Sequence, residues 1–325
     1  MLPEVRAWLR DATTAAADWP VPALVAAKGT ARISVVLPAY NEGRTVGTIV
    51  AAIRGSLMQA YPLVDEIVVI DSRSTDDTAR VAAAAGARVF AQDGVLPHLR
   101  PESGKGEALW KSLAVTTGDL IVFLDADVSN FSPAFVTGLL GPLLADPDIS
   151  FVKASYDRPV AEAAGIGDTG GRVTELVARP LLNLHWPLLA GFVQPLSGEY
   201  ASRRSVLERV PFCTGYGVEF GLLVDLLEAH GLAAMAQVDL GTRAHKHQGT
   251  AALGRMSGQI MLTAWSRLQR HGMIVAGEEP SALLAQFRRD TGGHRAEVRD
   301  VSVAQRPPMI EIPEYPAGRM LAADA

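Results

Sequence analysis

The first half of the chain alternates short, continuously apolar segments with stretches of helical periodicity. The apolar segments are "ISVVLPAY" (33–40), "DEIVVIDS" (65–72), "ARVFAQD" (87–93) and "DLIVFLDAD" (119–127). Continuous apolar character, rather than strict alternation, is typical of strands that are buried on both faces. Because predicted helices at 43–58, 74–86 and 104–118 separate these strands, the pattern predicts an α/β fold with a parallel sheet and right-handed crossovers.

The second half of the chain has a less regular pattern. It predicts strands at 149–157 and 235–245, a glycine-rich turn at 165–172, and helices at 173–184, 217–231 and 250–271. The long third helix places Leu253, Met256, Ile260, Ala264 and Leu268 along one stripe, with Met261 and Trp265 beside it. That stripe suits core packing, and it is wide enough to serve a dimer interface as well. The polar tail from about residue 276 is expected to be extended or partly mobile.

Composition narrows the class of protein. The 325 residues are 48% hydrophobic, which is enough for a sizeable core, and the net charge of −5 provides no basic face for nucleic acid. The single cysteine, Cys213, excludes an intrachain disulfide and suits a reducing cytoplasm. The N-terminus lacks the apolar core of a signal peptide, and the longest apolar tract, 180–196, is too short and too polar to cross a membrane. We therefore expect a soluble, cytoplasmic protein with neither a nucleic-acid nor a membrane partner.

Polar residues follow the apolar part of each strand in the first half. Ligands of open parallel sheets bind at the carboxyl ends of the strands, so these residues are expected to line one crevice. They are Pro38, Ala39, Tyr40, Asn41 and Glu42, then Asp71, Ser72 and Ser74, and finally Asp125 and Asp127.

Asp125 and Asp127 are two residues apart at a strand end, so their side chains point the same way and their charges repel. A divalent cation such as Mg²⁺ or Mn²⁺, which takes carboxylate, water and phosphate oxygens, would remove that repulsion. The alternative is a polar strand terminus that caps the following helix, which begins near Pro133.

Two further motifs suit a phosphate. Lys105 lies between glycines at the start of a predicted helix, although a solvated lysine in a flexible loop is the commoner outcome. Arg172 and Thr174 follow two glycines and precede a helix, a combination that suits a phosphate or a carboxylate. The alternative for this second motif is an ordinary glycine turn with a threonine N-cap.

Two candidates lie further along the chain. His245 and His247 share one side of a predicted strand end, where an imidazole could join an aspartate on a metal; a lone histidine is more often structural. Glu219 stands at a helix start, where placement at the positive end of the helix dipole explains it without any function.

The motifs in their order along the chain resemble a known family. "VVLPAYNEGRTV", "VIDSRSTDDT", "GKGEALW" and "FLDAD" resemble the family-two-like glycosyltransferases with the GT-A fold, in which the D-x-D binds a metal on a sugar-nucleotide diphosphate. "GGRVTELVARPLL", "QPLSGEYA", "PFCTGYGVEFGLLVD" and "QVDLGTRAH" look like the glucosyl- and mannosyl-3-phosphoglycerate synthases of actinobacteria. The resemblance covers about residues 31 to 270.

The resemblance implies roles by position. It implies a nucleotide-sugar site formed by Pro38, Ala39, Tyr40, Glu42, Ser72, Lys105, Asp125, Ala126, Asp127, Tyr216, Glu219 and Arg243. It also implies metal ligation by Asp127 and His245, and an acceptor-phosphate site at Gly171, Arg172 and Thr174. Catalysis would involve Asp127, Glu219 and Lys105, together with the backbone of Leu196 near the anomeric carbon.

The same resemblance implies an activity and a division of the chain. Glucose or mannose would pass from a UDP- or GDP-linked donor to 3-phosphoglycerate, with Mg²⁺ or Mn²⁺ as cofactor, in a homodimer. Residues 31–148 would form the nucleotide-sugar half and 149–275 the acceptor half, between an N-terminal extension (1–30) and a C-terminal tail (276–325).

The family retains anomeric configuration. Retention by double displacement needs a carboxylate at the anomeric carbon. The sequence offers no clear candidate besides Glu219, so a front-face departure, with the leaving phosphate taking the acceptor proton, is preferred.

Other classes of protein fit the sequence less well. A dehydrogenase would need G-x-G-x-x-G after the first strand, where "LPAYNEGRT" stands. A metal-dependent nucleotidyltransferase would carry a glycine-rich loop with arginine at that place. A non-catalytic sugar-nucleotide binding module would be the better interpretation if the D-x-D or the predicted ligand His245 were missing. Both are present. A related glycosyltransferase with a different acceptor stays open as an alternative.

Overall fold

The computed structural model describes residues 1–157, 171–244, 249–275 and 277–315. The strands are β1 (Thr13–Ala15), β2 (Ile33–Ala39), β3 (Glu66–Asp71), β4 (Arg88–Ala91), β5 (Leu120–Phe123), β6 (Phe151–Asp157), β7 (Tyr200–Arg203), β8 (Phe212–Cys213), β9 (Met235–Thr242), β10 (Leu283–Asp290), β11 (Gly293–Asp300) and β12 (Gln305–Arg306). The α-helices are α1 (Pro3–Asp11), α2 (Val21–Lys28), α3 (Val46–Arg54), α4 (Thr78–Ala85), α5 (Lys105–Val115), α6 (Ala134–Ala145), α7 (Arg179–His185), α8 (Arg204–Leu207), α9 (Val218–His230) and α10 (Thr250–Arg270).

An eight-stranded sheet in the order β1-β9-β6-β7-β5-β2-β3-β4 forms the centre of the molecule. Every strand in it except β7 runs in the same direction, since β7 pairs antiparallel with both β5 and β6. The predicted parallel α/β sheet is therefore confirmed, with one reversed strand that the sequence pattern did not reveal. Four residues, "YASR", are too few to show a periodicity.

The predicted elements match the structure with small shifts at their ends. The four apolar segments of the first half form β2, β3, β4 and β5, and the long predicted helix is α10. Two predicted helices contain a π-helical turn: α3 continues as one at Gly55–Gln59, and another at Thr174–Ala178 precedes α7.

The first thirty residues are packed into the body of the protein. Val5 and Trp8 of α1 are buried, and the Trp8 indole donates a hydrogen bond to the Met235 carbonyl at 2.7 Å. The short strand β1 pairs in parallel with β9 and forms one edge of the sheet. The N-terminal residues thus add a strand beside β9, β6 and β7, which come from the second half of the chain.

Two apolar layers cover the two faces of the sheet. One layer packs α5, α7, α9 and α10 on one face, and the other packs α3 and α6 on the opposite face. Ile260, Ala264 and Leu268 of the α10 stripe are buried in the first layer, so the core-packing interpretation of that stripe is correct. Within the described residues, no helix is long and apolar enough to cross a bilayer.

Residues 277–315 of the tail are extended in part, as expected, but they form paired strands that the sequence did not predict. The tail forms the β10–β11 hairpin, and β12 then pairs with β8. The Arg306 guanidinium binds both oxygens of the buried Glu107 carboxylate at 2.7 Å, and the Trp110 indole donates to the Pro307 carbonyl. Most hairpin side chains are exposed, so the strands lack the apolar pattern that identified the central sheet.

Candidate active site

The two glycines around Lys105 allow α5 to begin in close contact with the 213–215 loop. A Cβ on Gly106 would lie 1.7 Å from the Cys213 carbonyl oxygen, and one on Gly104 would lie 2.7 Å from that of Thr214. Gly104 also has φ of +107°, a conformation that L side chains rarely adopt. This packing makes Lys105 the first residue of α5, which excludes the alternative of a solvated loop lysine.

Lys105 joins two carboxylates that are distant in sequence. Its Nζ lies 2.5 Å from Asp125 Oδ1, just beyond β5, and 2.8 Å from Glu219 Oε1 in the first turn of α9. Burial by itself would lower the pKa of Lys105, but Asp125 and Glu219 hold that pKa well above its ordinary value. Lys105 therefore stays charged, and Glu219 has a specific partner besides the helix dipole.

Arg243, just beyond β9, binds both carboxylates of the D-x-D. One guanidinium nitrogen lies 2.8 Å from Asp125 Oδ2 and 2.9 Å from Asp127 Oδ1. Its Nε donates at 2.9 Å to Glu199, which also accepts a hydrogen bond from the Tyr156 hydroxyl. These contacts balance the repulsion between the two aspartates.

The helix-capping alternative for Asp127 does not hold. Asp127 is bound to Arg243, and α6 begins only at Ala134. The helix start is instead close to Ser132, whose hydroxyl accepts from the Ala134 amide.

We call the six charged residues of this site the charged cluster. They are Lys105, Asp125, Asp127, Glu199, Glu219 and Arg243. Four carboxylates face two cations in the cluster, so it carries an excess of two negative charges when every group is ionised. Burial and the charge of Asp125 raise the pKa of Asp127 to about 6, against the opposing effect of Arg243.

The carboxylate oxygens fit a hard divalent cation. Asp127 retains 28% side-chain exposure and belongs to a cluster with surplus negative charge, and Mg²⁺ and Mn²⁺ both take oxygen ligands. Within the described residues, no three side chains of the His, Cys, Asp and Glu types are arranged to hold a metal ion. His245, the other predicted ligand, lies outside the described residues, as does His247.

The first motif lies beside the cluster at the carboxyl end of the sheet. Asn41 adopts φ of +57°, and its backbone amide donates to Ser74 while the Glu42 amide donates to Thr78. The Thr45 hydroxyl donates at 2.5 Å to the carbonyl of Ala126, the middle residue of the D-x-D. These bonds join the loops that follow β2, β3 and β5 into one polar edge.

Other predicted nucleotide-site residues lie on the same edge. Pro38 and Ala39 end β2, and the Ala39 carbonyl accepts a hydrogen bond from the Ser72 amide. Tyr40 is 60% exposed, which leaves its ring available at the rim of the crevice.

The predicted acceptor residues lie at the start of the π-helical turn before α7. Thr174 is buried, and the Glu175 amide bonds to the Gly171 carbonyl. No side-chain cap is formed there, so the threonine N-cap alternative fails. Within the described residues, no hydrogen bond links Gly171 or Thr174 to the charged cluster, and their predicted role stays a prediction.

Two predicted sugar-site residues form no hydrogen bond with the charged cluster within the described residues. Tyr216 is 41% exposed, and its backbone amide donates to Gln259 of α10. Leu196 is partly buried against the core layer that contains α9.

Sequence reasoning missed Gly198, Glu199, Tyr200 and Lys153. A Cβ on Gly198 would lie 2.2 Å from Asp125 Oδ1, so only glycine leaves room for that carboxylate. Glu199 is fully buried beneath Arg243. The sequence signal for Gly198 and Glu199 was the polar triplet "SGE" in an otherwise apolar stretch. Three residues are too few to show a periodicity that would identify them as part of a site.

The fold and the site together define a class of protein. Acidic and basic residues converge at the carboxyl edge of a mostly parallel sheet, with a D-x-D after a central strand. This is the arrangement of a nucleotide-sugar-dependent glycosyltransferase with the GT-A fold. Residues 34–164 match the model of glycosyl transferase family 2.

Comparison with individual proteins narrows the class. The chain is 47% identical to glucosyl-3-phosphoglycerate synthase of Mycolicibacterium smegmatis over 94% of this chain and 98% of that protein. Its structure resembles mannosyl-3-phosphoglycerate synthase of Rubrobacter xylanophilus, with a TM-score of 0.89, 39% identity, and coverage of 94% and 99% of the two chains. The chain belongs to the glucosyl-3-phosphoglycerate synthase family.

A further structural relative contains ligands. Glucosyl-3-phosphoglycerate synthase of Mycobacterium tuberculosis in complex with Mn²⁺, UDP-glucose and phosphoglyceric acid matches with a TM-score of 0.78 and 45% identity. The match covers 90% of this chain and 95% of that one.

The contact between Gly198 and Asp125 generates a prediction. Gly198→Ala should displace the Asp125 carboxylate from Lys105 and Arg243, and so weaken metal-dependent binding of UDP by on the order of tenfold or more, the loss of about 1.4 kcal/mol. Titration calorimetry with UDP and Mg²⁺ measures the effect. The matched control is Gly55→Ala, at a helical position with nothing within 4 Å of the added Cβ; equal binding by both variants would contradict the assigned role.

Proposed function

We propose that the protein transfers glucose from UDP-glucose to 3-phosphoglycerate and releases glucosyl-3-phosphoglycerate and UDP. The observation that carries the proposal is the charged cluster, which supplies two fixed cations and an acidic pair at the carboxyl edge of the sheet. The names of the sequence relatives and the ligands of the mycobacterial structure supply the choice of glucose, UDP and phosphoglycerate.

The donor is assigned to the edge formed mainly by residues 31–148. Pro38, Ala39, Tyr40, Glu42 and Ser72 surround the nucleoside, since they lie at the ends of β2 and β3. Lys105 meets the diphosphate, because its ammonium is charged and lies at the N-terminus of a helix, where anions are favoured.

A bound divalent cation, held by Asp127 and His245, would supply a Lewis acid that neutralises charge on the departing diphosphate. Lys105 lowers the energy of the same developing charge, because its ammonium stays protonated in the site. Arg243 holds Asp125 and Asp127 in place and keeps its own charge within the site.

Residues 149–275 are assigned to the acceptor and to the transferred sugar. Gly171, Arg172 and Thr174 bind the acceptor phosphate, while Tyr216, Glu219 and the backbone of Leu196 surround the sugar. Glu219 Oε1 is held by Lys105, which makes it a poor nucleophile. We therefore favour departure of UDP and attack by the acceptor hydroxyl on the same face of the sugar, with the leaving phosphate taking the hydroxyl proton.

Product analysis tests the proposed function. The protein is incubated with 3-phosphoglycerate, Mg²⁺ or Mn²⁺, and one of four donors: UDP-glucose, GDP-glucose, UDP-mannose or GDP-mannose. Glucosyl-3-phosphoglycerate formed fastest from UDP-glucose, and lost on chelation of the metal, is the expected result. Because a mannosyl synthase is among the structural relatives, preference for a mannose donor would replace glucose in the proposal; no product from any donor would overturn it.

The division into donor and acceptor sites predicts opposite effects of two substitutions. Arg172→Ala should remove a charge-assisted contact with the acceptor phosphate, costing about 1.5–3 kcal/mol. Apparent affinity for 3-phosphoglycerate should then fall on the order of ten- to a hundredfold, with UDP affinity nearly unchanged. Lys105→Ala should weaken UDP binding and spare 3-phosphoglycerate. Calorimetric titration of each variant with each ligand measures both, and equal weakening of both ligands by Arg172→Ala would refute the division.

We also propose that the protein is a homodimer that uses the β10–β11 hairpin. An isolated two-stranded hairpin is marginally stable in water, yet Leu283, Phe287 and Val298 are 57–70% exposed. Ala285 pairs with Val298 and Phe287 with Ala296, so these apolar residues share one face. A second copy of the same face would cover it.

The dimer prediction is tested by light scattering at micromolar concentration. The wild type should have the mass of two chains, and Phe287→Asp should shift it to one chain, because a charge replaces apolar surface at the centre of the interface. Tyr61→Asp is the control, since Tyr61 is also exposed but lies far from the hairpin in the chain. A monomeric wild type, or a dimer unaffected by Phe287→Asp, would exclude this interface.

A further inference from the structure

Lys153 of β6 is a buried lysine without a hydrogen-bond partner among the described residues. Its residue is 1% exposed, and its Nζ forms no hydrogen bond with a described residue. The Nζ lies 4.5 Å from the centroid of the Tyr200 ring, its cross-strand neighbour on β7. The Tyr200 hydroxyl is likewise buried and without a hydrogen bond among the described residues. Burying an ammonium without a hydrogen-bond partner is costly. A lysine at this position therefore suggests a functional role.

Lys111 of α5 provides a direct contrast. It is equally buried, but its Nζ donates at 2.9 Å to the Gln92 carbonyl and lies 3.5 Å from Glu107. One buried lysine is thus satisfied by its surroundings, and the other is not.

Four members of the charged cluster act electrostatically on Lys153. The groups that act on it are Glu219 of α9, Lys105 of α5, Glu199 before β7, Asp125 after β5, and Tyr200 of β7. On β9 its neighbour is Gln237, an uncharged residue whose amide already bonds to Thr13 and to the Gly191 carbonyl. Glu219 has the strongest attraction for Lys153, and Lys105 opposes it.

Glu219 already has a cation, because Lys105 Nζ lies 2.8 Å from it. The proposed function assigns Lys105 to the donor diphosphate, and the next inference rests on that assignment. A lysine drawn toward the diphosphate leaves Glu219, which is only 6% exposed, as a buried carboxylate without a counter-ion. Such a group is strongly destabilised unless another cation replaces the first.

We propose that Lys153 replaces Lys105 as the counter-ion of Glu219 when the donor binds. Lys153 is thus a positioning residue: it holds Glu219 in place against the transferred sugar while Lys105 acts on the diphosphate. The exchange requires no atom other than one proton, which comes from solvent when Lys153 becomes an ammonium.

Protonation of Lys153 makes the exchange measurable. Burial, with a further contribution from Lys105, lowers the pKa of Lys153 to about 7. Near pH 8 the ligand-free protein therefore holds Lys153 mainly as the neutral amine. Departure of Lys105 and the uncompensated charge of Glu219 both raise the pKa of Lys153. The protein should therefore take up close to one proton when the donor binds.

Calorimetry in buffers of different ionisation enthalpy counts that proton. The full-length protein, saturated with Mg²⁺ at pH 8, is titrated with UDP-glucose in the absence of acceptor. The wild type should take up close to one proton, and both Lys153→Met and Lys105→Met should take up none, because each lacks one partner of the exchange. Lys111→Met is the control and should behave as the wild type does. Unchanged proton uptake in Lys153→Met would overturn the proposal.

Stability and turnover should move in opposite directions in Lys153→Met. Removing an unpartnered buried amine should raise the melting temperature, whereas Lys111→Met should lower it. Lys153→Met should reduce kcat on the order of tenfold or more, with the KM for 3-phosphoglycerate within about twofold of wild type. A lysine that serves structure alone would give a lower melting temperature and a normal kcat, and that result would refute the role.

The pH dependence of stability provides an independent test of the buried amine. Between about pH 7 and the ordinary lysine pKa of 10.5, the unfolded chain binds more protons than the folded one, so the wild type gains stability as pH rises. The gain in melting temperature of Lys153→Met over wild type should be full below pH 7 and shrink above it; a gain that grows with pH would contradict the burial of an unpartnered amine.

Failure of the proposed function would be recognised separately. A wild type that binds no UDP-glucose in the presence of Mg²⁺ would remove the basis for the exchange together with the function. A wild type that binds the donor and forms product, with proton uptake and kcat indifferent to Lys153→Met, would refute the exchange and leave the function intact.

Discussion

The ion pairs of Arg243 with three carboxylates hold the site together. The guanidinium bonds to Asp125 and Asp127 after β5 and to Glu199 before β7, while Arg243 itself follows β9. Three strand ends that belong to different halves of the chain are thereby fixed at one edge of the sheet. Because Glu199 is fully buried, removal of the guanidinium would leave an uncompensated charge in the interior, which is among the costliest defects in a protein.

The sequence predicted the half of the molecule whose residues follow simple periods. Continuous apolar strands, helices between them and polar strand ends located β2, β3, β5 and the pair Asp125 and Asp127. It could not identify β7 or the hairpin, since the first is too short for a period and the second is exposed on most positions. Glu199 and Lys153 escaped for a different reason: their importance arises from neighbours that are brought close only by the fold.

The site combines satisfied and unsatisfied charges, and the difference follows a physical logic. Arg243 and Asp125 each have charged partners at hydrogen-bond distance, which suits residues that must keep one geometry. Lys153 and Tyr200, by contrast, have buried polar atoms that form no hydrogen bond with a described residue. Natural proteins tolerate such local costs where function requires them, and compensate elsewhere in the core.

The contact between Glu107 and Arg306 has a consequence for the order of events during folding. Lys105 begins a helix that packs on residues 213–215, and β8 in that region pairs with β12, about 200 positions beyond Lys105 in the chain. Contacts at such sequence separation form late, because a long loop must close before they contribute any energy. The strands β2, β3, β4 and β5 are close in sequence and can therefore pair before α5 makes its contacts with the 213–215 loop and with Arg306.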